Sequence, residues 1–161
     1  MIELRELGPE HADVLHRLLR ISRTGFDGYL AEEVLGWSIS RLVCLGDQIV
    51  GLIQVRKLDS EKAYGVLGTW LVPQVWGTGV NQAAKEAMLR LVFEERTDVD
   101  RVYFCIEEEN VRSLRAAEKL RYVKKIGEED VPCELVDDLR DVSGTQRRWY
   151  AIMRESFIRC G

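Results

Sequence analysis

The chain has 161 residues, 46% of them apolar and 31% charged, which is enough to bury one core and argues for a single domain over 1–161. A net charge of −4 argues against a general nucleic-acid binder, which would be basic, and leaves room for a cationic acceptor such as an amine. Cys44, Cys105, Cys133 and Cys160 form no CxxC pair, and His11 and His16 are the only histidines, so no zinc spacing is present and no metal is expected. The N-terminus MIELRELGPEH lacks an apolar signal core, and no apolar run reaches the ~20 residues of a membrane span. The expectation is a cytoplasmic protein with reduced thiols and no membrane partner, with a homodimer left open.

In chain order, Ile2, Leu4 and Leu7 alternate with charge and predict a short edge strand. Gly8-Pro9 ends it and opens a helix whose apolar face is Val14, Leu15, Leu18, Leu19 and Ile21. His11 and His16 on that helix read as surface residues. SRTGFDGY reads as a loop, and LAEEVLGWSI as a second helix interrupted by Gly36. RLVCL, the turn Gly46-Asp47-Gln48 and IVGLIQVRKL form a hairpin, with Cys44 in a buried run. After a turn at Asp59 to Lys62, Ala63 to Val72 is a third strand of the meander, carrying Gly65 and Gly68.

Past Gly79 the period becomes helical: Val80, Ala83, Ala84, Ala87, Met88, Leu91 and Val92 recur at i, i+3, i+4. DRVYFCI follows as an apolar strand that takes in Cys105, giving strand, glycine loop, helix, strand, the order of a right-handed parallel crossover. Asn110 to Leu120 is a short helix and YVKKI a strand. EEDVPCELVDDLRDVSG reads as an acidic loop, and TQRRWYAIM as the last strand. The fold class is α+β, an antiparallel meander joined to a βαβ unit.

The stretch VPQVWGTGVNQAAK carries the chemistry. It lacks the GxxxxGK[ST] of a Walker loop and the third glycine of a dinucleotide fingerprint. What remains is Gln74-Val75-Trp76-Gly77-Thr78-Gly79, a Q-x-x-G-x-G turn running into a helix. Its backbone N–H groups and the positive helix end suit a diphosphate, and glycine lets the phosphates come close. The same loop also reads as a plain strand-to-helix connector.

Several motifs in register resemble the GNAT superfamily of acyl-CoA N-acyltransferases, with a closer likeness to the ribosomal-protein N-terminal acetyltransferase branch. Gln74, Gly77 and Gly79 match the acyl-CoA signature [QR]-x-x-G-x-[GA]. Gly68-Thr69-Trp70-Leu71, Pro73, Trp76-Gly77 and Gly79 match GTWLxPxxWGxG, and Asn110-Val111-Arg112-Ser113 followed by Glu118-Lys119-Leu120-Arg121-Tyr122 matches N-x-x-S before EKLGF. The likeness is strongest over residues 40 to 125.

The resemblance implies a mixed, mostly antiparallel twisted sheet of six to seven strands, about four helices, and splayed fourth and fifth strands that admit the pantetheine arm. Leu71 and Val72 would face the arm's amides, Gly65 and Gly68 would allow the strand to bend, and Val75, Trp76, Gly77, Thr78, Gly79 and Val80 would hold the diphosphate of acetyl-CoA or another acyl-CoA. Asn110 would contact the arm, and Ser113 would stabilise the leaving thiolate; both also read as a helix cap. Many relatives use a tyrosine seven residues after the asparagine as general acid; here that residue is Ala117. Arg121 stands where a left-handed glycine is usual, so that helix end is expected to differ. Phe26, Tyr29 and Trp37 would line the acceptor groove, or simply pack on the core. Trp70 and Trp76 read as core or lid aromatics, and Glu107, Glu108 and Glu109 as a solvated strand end.

The implied reaction is transfer of an acetyl or short acyl group to a primary amine by direct attack in a ternary complex, with a peptide N-terminus as the acceptor. Acetylation of an aminoglycoside or polyamine-like small molecule, and a non-catalytic acyl-CoA sensor, are the alternatives.

Overall fold

The computed structural model describes residues 1–139 and 144–160. The chain divides into two compact units, Met1–Val99 and Asp100–Gly161. The first contains β1 (Ile2–Glu6), α1 (Ala12–Leu19), α2 (Arg23–Val34), β2 (Ile39–Leu45), β3 (Gln48–Arg56), β4 (Tyr64–Leu71) and α3 (Val80–Glu95). The second contains β5 (Arg101–Glu107), α4 (Val111–Glu118), β6 (Val123–Ile126), α5 (Cys133–Asp138), β7 (Arg147–Met153) and α6 (Arg154–Cys160).

In the first unit each strand pairs antiparallel with the next, from β1 to β4. The two-residue turn Gly46-Asp47 joins β2 to β3, and Gly46 takes φ 58°, a left-handed value glycine adopts without strain. Pairing slips after Val43, which faces Gly51, whereas Cys44 faces Ile49. Val50 is the extra residue of this bulge, and its carbonyl accepts the Val72 N–H at 2.9 Å just past the end of β4. Gly51 is obligatory there, since a Cβ would stand 2.4 Å from the Trp70 carbonyl.

The helices follow their apolar stripes. On one sheet face Ala12 and Leu15 of α1 and Phe26 of α2 meet Leu42 and Cys44. Helix α3 buries Val80, Ala84, Met88, Leu89, Val92 and Phe93, each large side chain contributing roughly 1.5–3 kcal/mol by leaving water.

In the second unit β7 lies between β5 and β6 and is antiparallel to both. Phe104 stacks on Tyr150 with centroids 5.0 Å apart, and Tyr122 meets Phe157 edge-on at 5.1 Å. Among the described residues no helix is long and apolar enough to cross a membrane, and no group of three His, Cys, Asp or Glu is placed to hold a metal ion.

Several expectations need correction. SRTGFDGY is helical from Arg23 on, because Ser22 accepts the Gly25 N–H at 3.0 Å and caps α2, which starts seven residues earlier than the loop reading allowed. The second helix stops at Val34 because Gly36 takes φ 79° just beyond its cap. The acidic stretch after Ile126 is not all loop: Glu128–Asp130 makes a 3-10 turn and Cys133–Asp138 is α5, while residues 140–143 lie outside the described residues. Helix α6 follows β7 directly, so there are six α-helices among the described residues where about four were expected. Cys105 is half-buried, with Arg147 donating to its sulfur at 3.7 Å. His11 is no bare surface residue: its Nδ1 accepts the Gly8 N–H at 2.8 Å and fixes the entry to α1.

Candidate active site

Strand β4 ends at Leu71, and Pro73–Val75 makes a single 3-10 turn before α3. Three N–H groups of this loop are used internally: Val75 bonds Val72, Trp76 bonds Pro73 and Thr78 bonds Val75. The Thr78 hydroxyl also donates to the Val75 carbonyl. Gly77 and Gly79 take φ 74° and 89°, and a Cβ built on either would meet nothing within 4 Å. Gly79 is the N-cap of α3 and offers no side-chain cap. The N–H groups of Gly77, Gly79, Val80, Asn81 and Gln82 make no hydrogen bond to the loop's carbonyls among the described residues. Five donors at the positive end of a 16-residue helix are thus left unused by the loop beside open space at both glycines, which suits a diphosphate.

The expectation that every N–H from Val75 to Val80 is available is therefore narrowed to Gly77, Gly79 and Val80, with Asn81 and Gln82 added. Gln74 is exposed in the 3-10 turn. Leu71 and Val72 are less open than expected: Val72 donates to Val50, and the Trp76 indole N–H donates to the Leu71 carbonyl at 3.1 Å. Trp70 and Trp76 are 40% and 48% exposed, so both sit over the surface and neither is core. Gly65 and Gly68 lie in an unbroken strand without positive φ. A Cβ at Gly65 would stand 2.6 Å from Val55 Cγ1, so close packing, not a bend, requires that glycine.

Lys85, in the second turn of α3, is 7% exposed, and burial lowers its pKa from 10.5 to about 8.

Of the three acceptor candidates, Phe26 is fully buried in the core between α1, α2 and β2. Tyr29 is partly exposed, with the Arg56 guanidinium 5.2 Å over its ring. Trp37 is 55% exposed. Arg56 grips Glu32 through two hydrogen bonds of 3.1 and 2.8 Å, and Arg41 bonds Glu33 at 2.8 Å, while the Ser40 N–H takes the other Glu33 oxygen. These contacts pin α2 to β2 and β3.

In the second unit Asn110 Oδ1 accepts the Ser113 N–H at 3.3 Å and caps α4. Ser113 is partly exposed and Ala117 is buried. Arg121 is absent from the positive-φ residues, so α4 does end differently from the glycine pattern: Lys119 stays right-handed, and Leu120 turns back to Ala117. The acidic run is not merely solvated. Arg148 bonds Glu108 at 3.3 and 2.9 Å and Glu118 at 2.8 Å, and the Tyr150 hydroxyl donates to Glu118 at 3.0 Å. Arg148 above all, and then Tyr150, hold the Glu118 carboxyl below its usual range, and burial raises the Tyr150 phenol. Sequence reasoning missed this network. Its one signal was the alternation of Arg148 and Tyr150 on one face of a strand.

A family model described as an acetyltransferase (GNAT) domain matches residues 2–123, three quarters of the chain and part of both units, and the chain belongs to that family. Among solved structures it is similar to the ribosomal L7/L12 α-N-protein acetyltransferase RimL (17% identity, TM-score 0.77, 94% of this chain and 92% of that one). It is also similar to spermidine N-acetyltransferase from Vibrio cholerae in complex with CoA and spermine (14%, TM-score 0.76, 98% of each) and to a probable acetyltransferase (17%, TM-score 0.76, 96% and 93%). No curated protein matches the chain.

Proposed function

We propose that the protein transfers an acetyl or short acyl group from acyl-CoA to the α-amine of a peptide. The observation that carries this reading is the Gly77–Gly79 cradle, in which positive φ, open space and unused N–H groups coincide at the start of α3. Gly77, Gly79, Val80, Asn81 and Gln82 would donate to the diphosphate. Gln74 would lie beside it, and Val75, Trp76 and Thr78 would shape the turn. With the diphosphate held there, the pantetheine arm would run back along β4, which would put its thioester upstream of Leu71. The Leu71 carbonyl has two lone pairs and can accept from the arm beside or in place of the Trp76 indole.

The acceptor's neutral nitrogen attacks the thioester carbonyl carbon. The C–N bond forms, the C–S bond breaks, and CoA leaves as a thiolate that takes up a proton. Ser113 is our candidate to hydrogen-bond that thiolate, and Asn110 to set the turn that carries it. Deprotonating an α-amine of pKa ≈ 7.7–8.0 at pH 7 costs about 1 kcal/mol, against roughly 4.6 for a lysine near 10.4. No histidine is needed for the first of these. Glu32 and Glu33, the carboxylates of α2, are already matched by Arg56 and Arg41, which favours a singly charged peptide terminus over a polyamine. Tyr29 and Trp37 would flank the acceptor, while Phe26 holds α2 from inside.

Free-thiol release from acetyl-CoA, followed with alanine- and serine-initiated peptides, spermidine and an aminoglycoside, tests the proposal. Turnover with peptides alone is expected. Turnover of the small amines alone replaces the acceptor. Acetyl-CoA binding without thiol release from any amine makes the protein a sensor.

A further inference from the structure

Across β2, β3 and β4, Ser40, Gln54 and Gly68 stand opposite one another in register, and directly opposed residues share a sheet face. Gln54 is wholly buried and Ser40 is 1% exposed. The Gln54 Nε2 donates to the Ser40 hydroxyl at 2.8 Å, but its Oε1 has no hydrogen-bond partner. The Ser38 hydroxyl, 1% exposed, has none either. A wholly buried carboxamide is expensive unless both ends are bonded, so a half-satisfied one marks a place where a donor is missing.

The direction of the missing donor follows from the row. Nε2 is turned to Ser40, on the β2 side, so the carbonyl end of the same planar amide turns toward β4. There Gly68 presents no side chain. The space is taken by the benzo edge of Trp70: a Cβ on Gly68 would stand 3.0 Å from Trp70 Cη2 and 3.2 Å from Cζ3. Trp70 itself is 40% exposed, and exposed side chains change rotamer within nanoseconds. Its ring is a plug with one side in water. When it swings out, it opens a slot one residue wide over Gly68, with the Gln54 oxygen on its inner wall.

We propose that this slot is part of the acceptor site, and that Gln54 Oε1 receives an N–H of the acceptor beside the reacting amine, with Trp70 as the gate. The proposal rests on the transferase reading, which places the thioester upstream of Leu71 on the same strand, the side on which Gly68 and Trp70 lie. Gln54 is then a specificity-determining residue: an acceptor that lacks an N–H donor next to its amine leaves the carbonyl unpaired and is selected against.

Two variants separate this from a core role. Gln54→Met keeps the volume and removes the carbonyl. Gly68→Ala leaves Gln54 intact and fills the slot, at a position whose backbone any residue can adopt. The side-chain amide signals of Gln54, assigned by their loss in Gln54→Met, are followed while trialanine amide or spermidine is added, with and without CoA. We expect at least one probe to shift them in the wild type and neither to do so in Gly68→Ala. Both variants should raise the acceptor KM tenfold or more, with kcat at saturating acceptor and the acetyl-CoA Kd within twofold of wild type. No shift with either probe, or an unchanged KM in both folded variants, overturns the proposal. Failure of acetyl-CoA to bind sinks the transferase reading instead, and the arm without CoA still decides Gln54.

Discussion

Two helices open on motifs of opposite physics. Helix α3 begins at Gly79, which has no side chain to cap it and leaves the first-turn N–H groups unbonded to the loop. Helix α4 begins at Asn110, whose Oδ1 bonds the Ser113 N–H. A helix start that satisfies its own donors is a structural element. One that leaves them at an open glycine turn is a binding site in waiting, because those donors gain most from an anion. On the proposed reading the Gly77–Gly79 loop takes the ligand, and Asn110 acts as the cap of α4.

The sharpest way to break the contrast is to fill the α3 cradle. Gly79→Val puts a branched Cβ into the open space and asks valine to hold φ 89°. Losing two hydrogen bonds to a charged ligand, at about 1.5–3 kcal/mol each, predicts at least a 100-fold weaker acetyl-CoA Kd by calorimetry. A folded Gly79→Val protein that binds normally would make the loop a mere connector.

Next in size is Lys85. Its folded pKa, near 8, lies below the unfolded 10.5, so between these values the unfolded chain binds more protons and stability rises with pH. Lys85→Met should therefore stabilise the protein by up to about 3 kcal/mol at pH 7, with the gain fading toward pH 10.5. Denaturant melts at both pH values check it; a gain that does not fade means that burial of the charge is not the cause.

Ser113→Ala should lower kcat by roughly 10- to 150-fold, the worth of one hydrogen bond to a thiolate, with the acetyl-CoA Kd unchanged. Loss of melting temperature alone would leave Ser113 as a part of the cap. The smallest effect belongs to Asn110→Ala, which should cost about 1 kcal/mol of stability by removing the cap, seen as a lower Tm with acetyl-CoA affinity retained.

The strands were legible because their apolar alternation and glycine turns act locally, and α3 because its stripe spans sixteen residues. The first part of α2, up to Tyr29, was not, because Gly25 and Gly28 depress its propensity and its stability comes from distant partners: Phe26 in the core, Glu32 on Arg56 and Glu33 on Arg41. The same tertiary contacts explain why Phe26, which reads as a groove aromatic in sequence, is buried. Helices α5 and α6 are six and seven residues long, too short for a period to stand out. The glycine cradle was readable from Gln74, Gly77 and Gly79. Which of its N–H groups stay unused, and the indole of Trp76 on the Leu71 carbonyl, depend on backbone geometry that no motif encodes.

The central claim, that the start of α3 holds the cofactor's diphosphate, is tested most directly by the backbone amide spectrum during a CoA titration. The account predicts that the largest shifts fall on Gly77, Gly79, Val80, Asn81 and Gln82, and that Asn110 and Ser113 move less. Saturable CoA binding that leaves those five amides unmoved would contradict it.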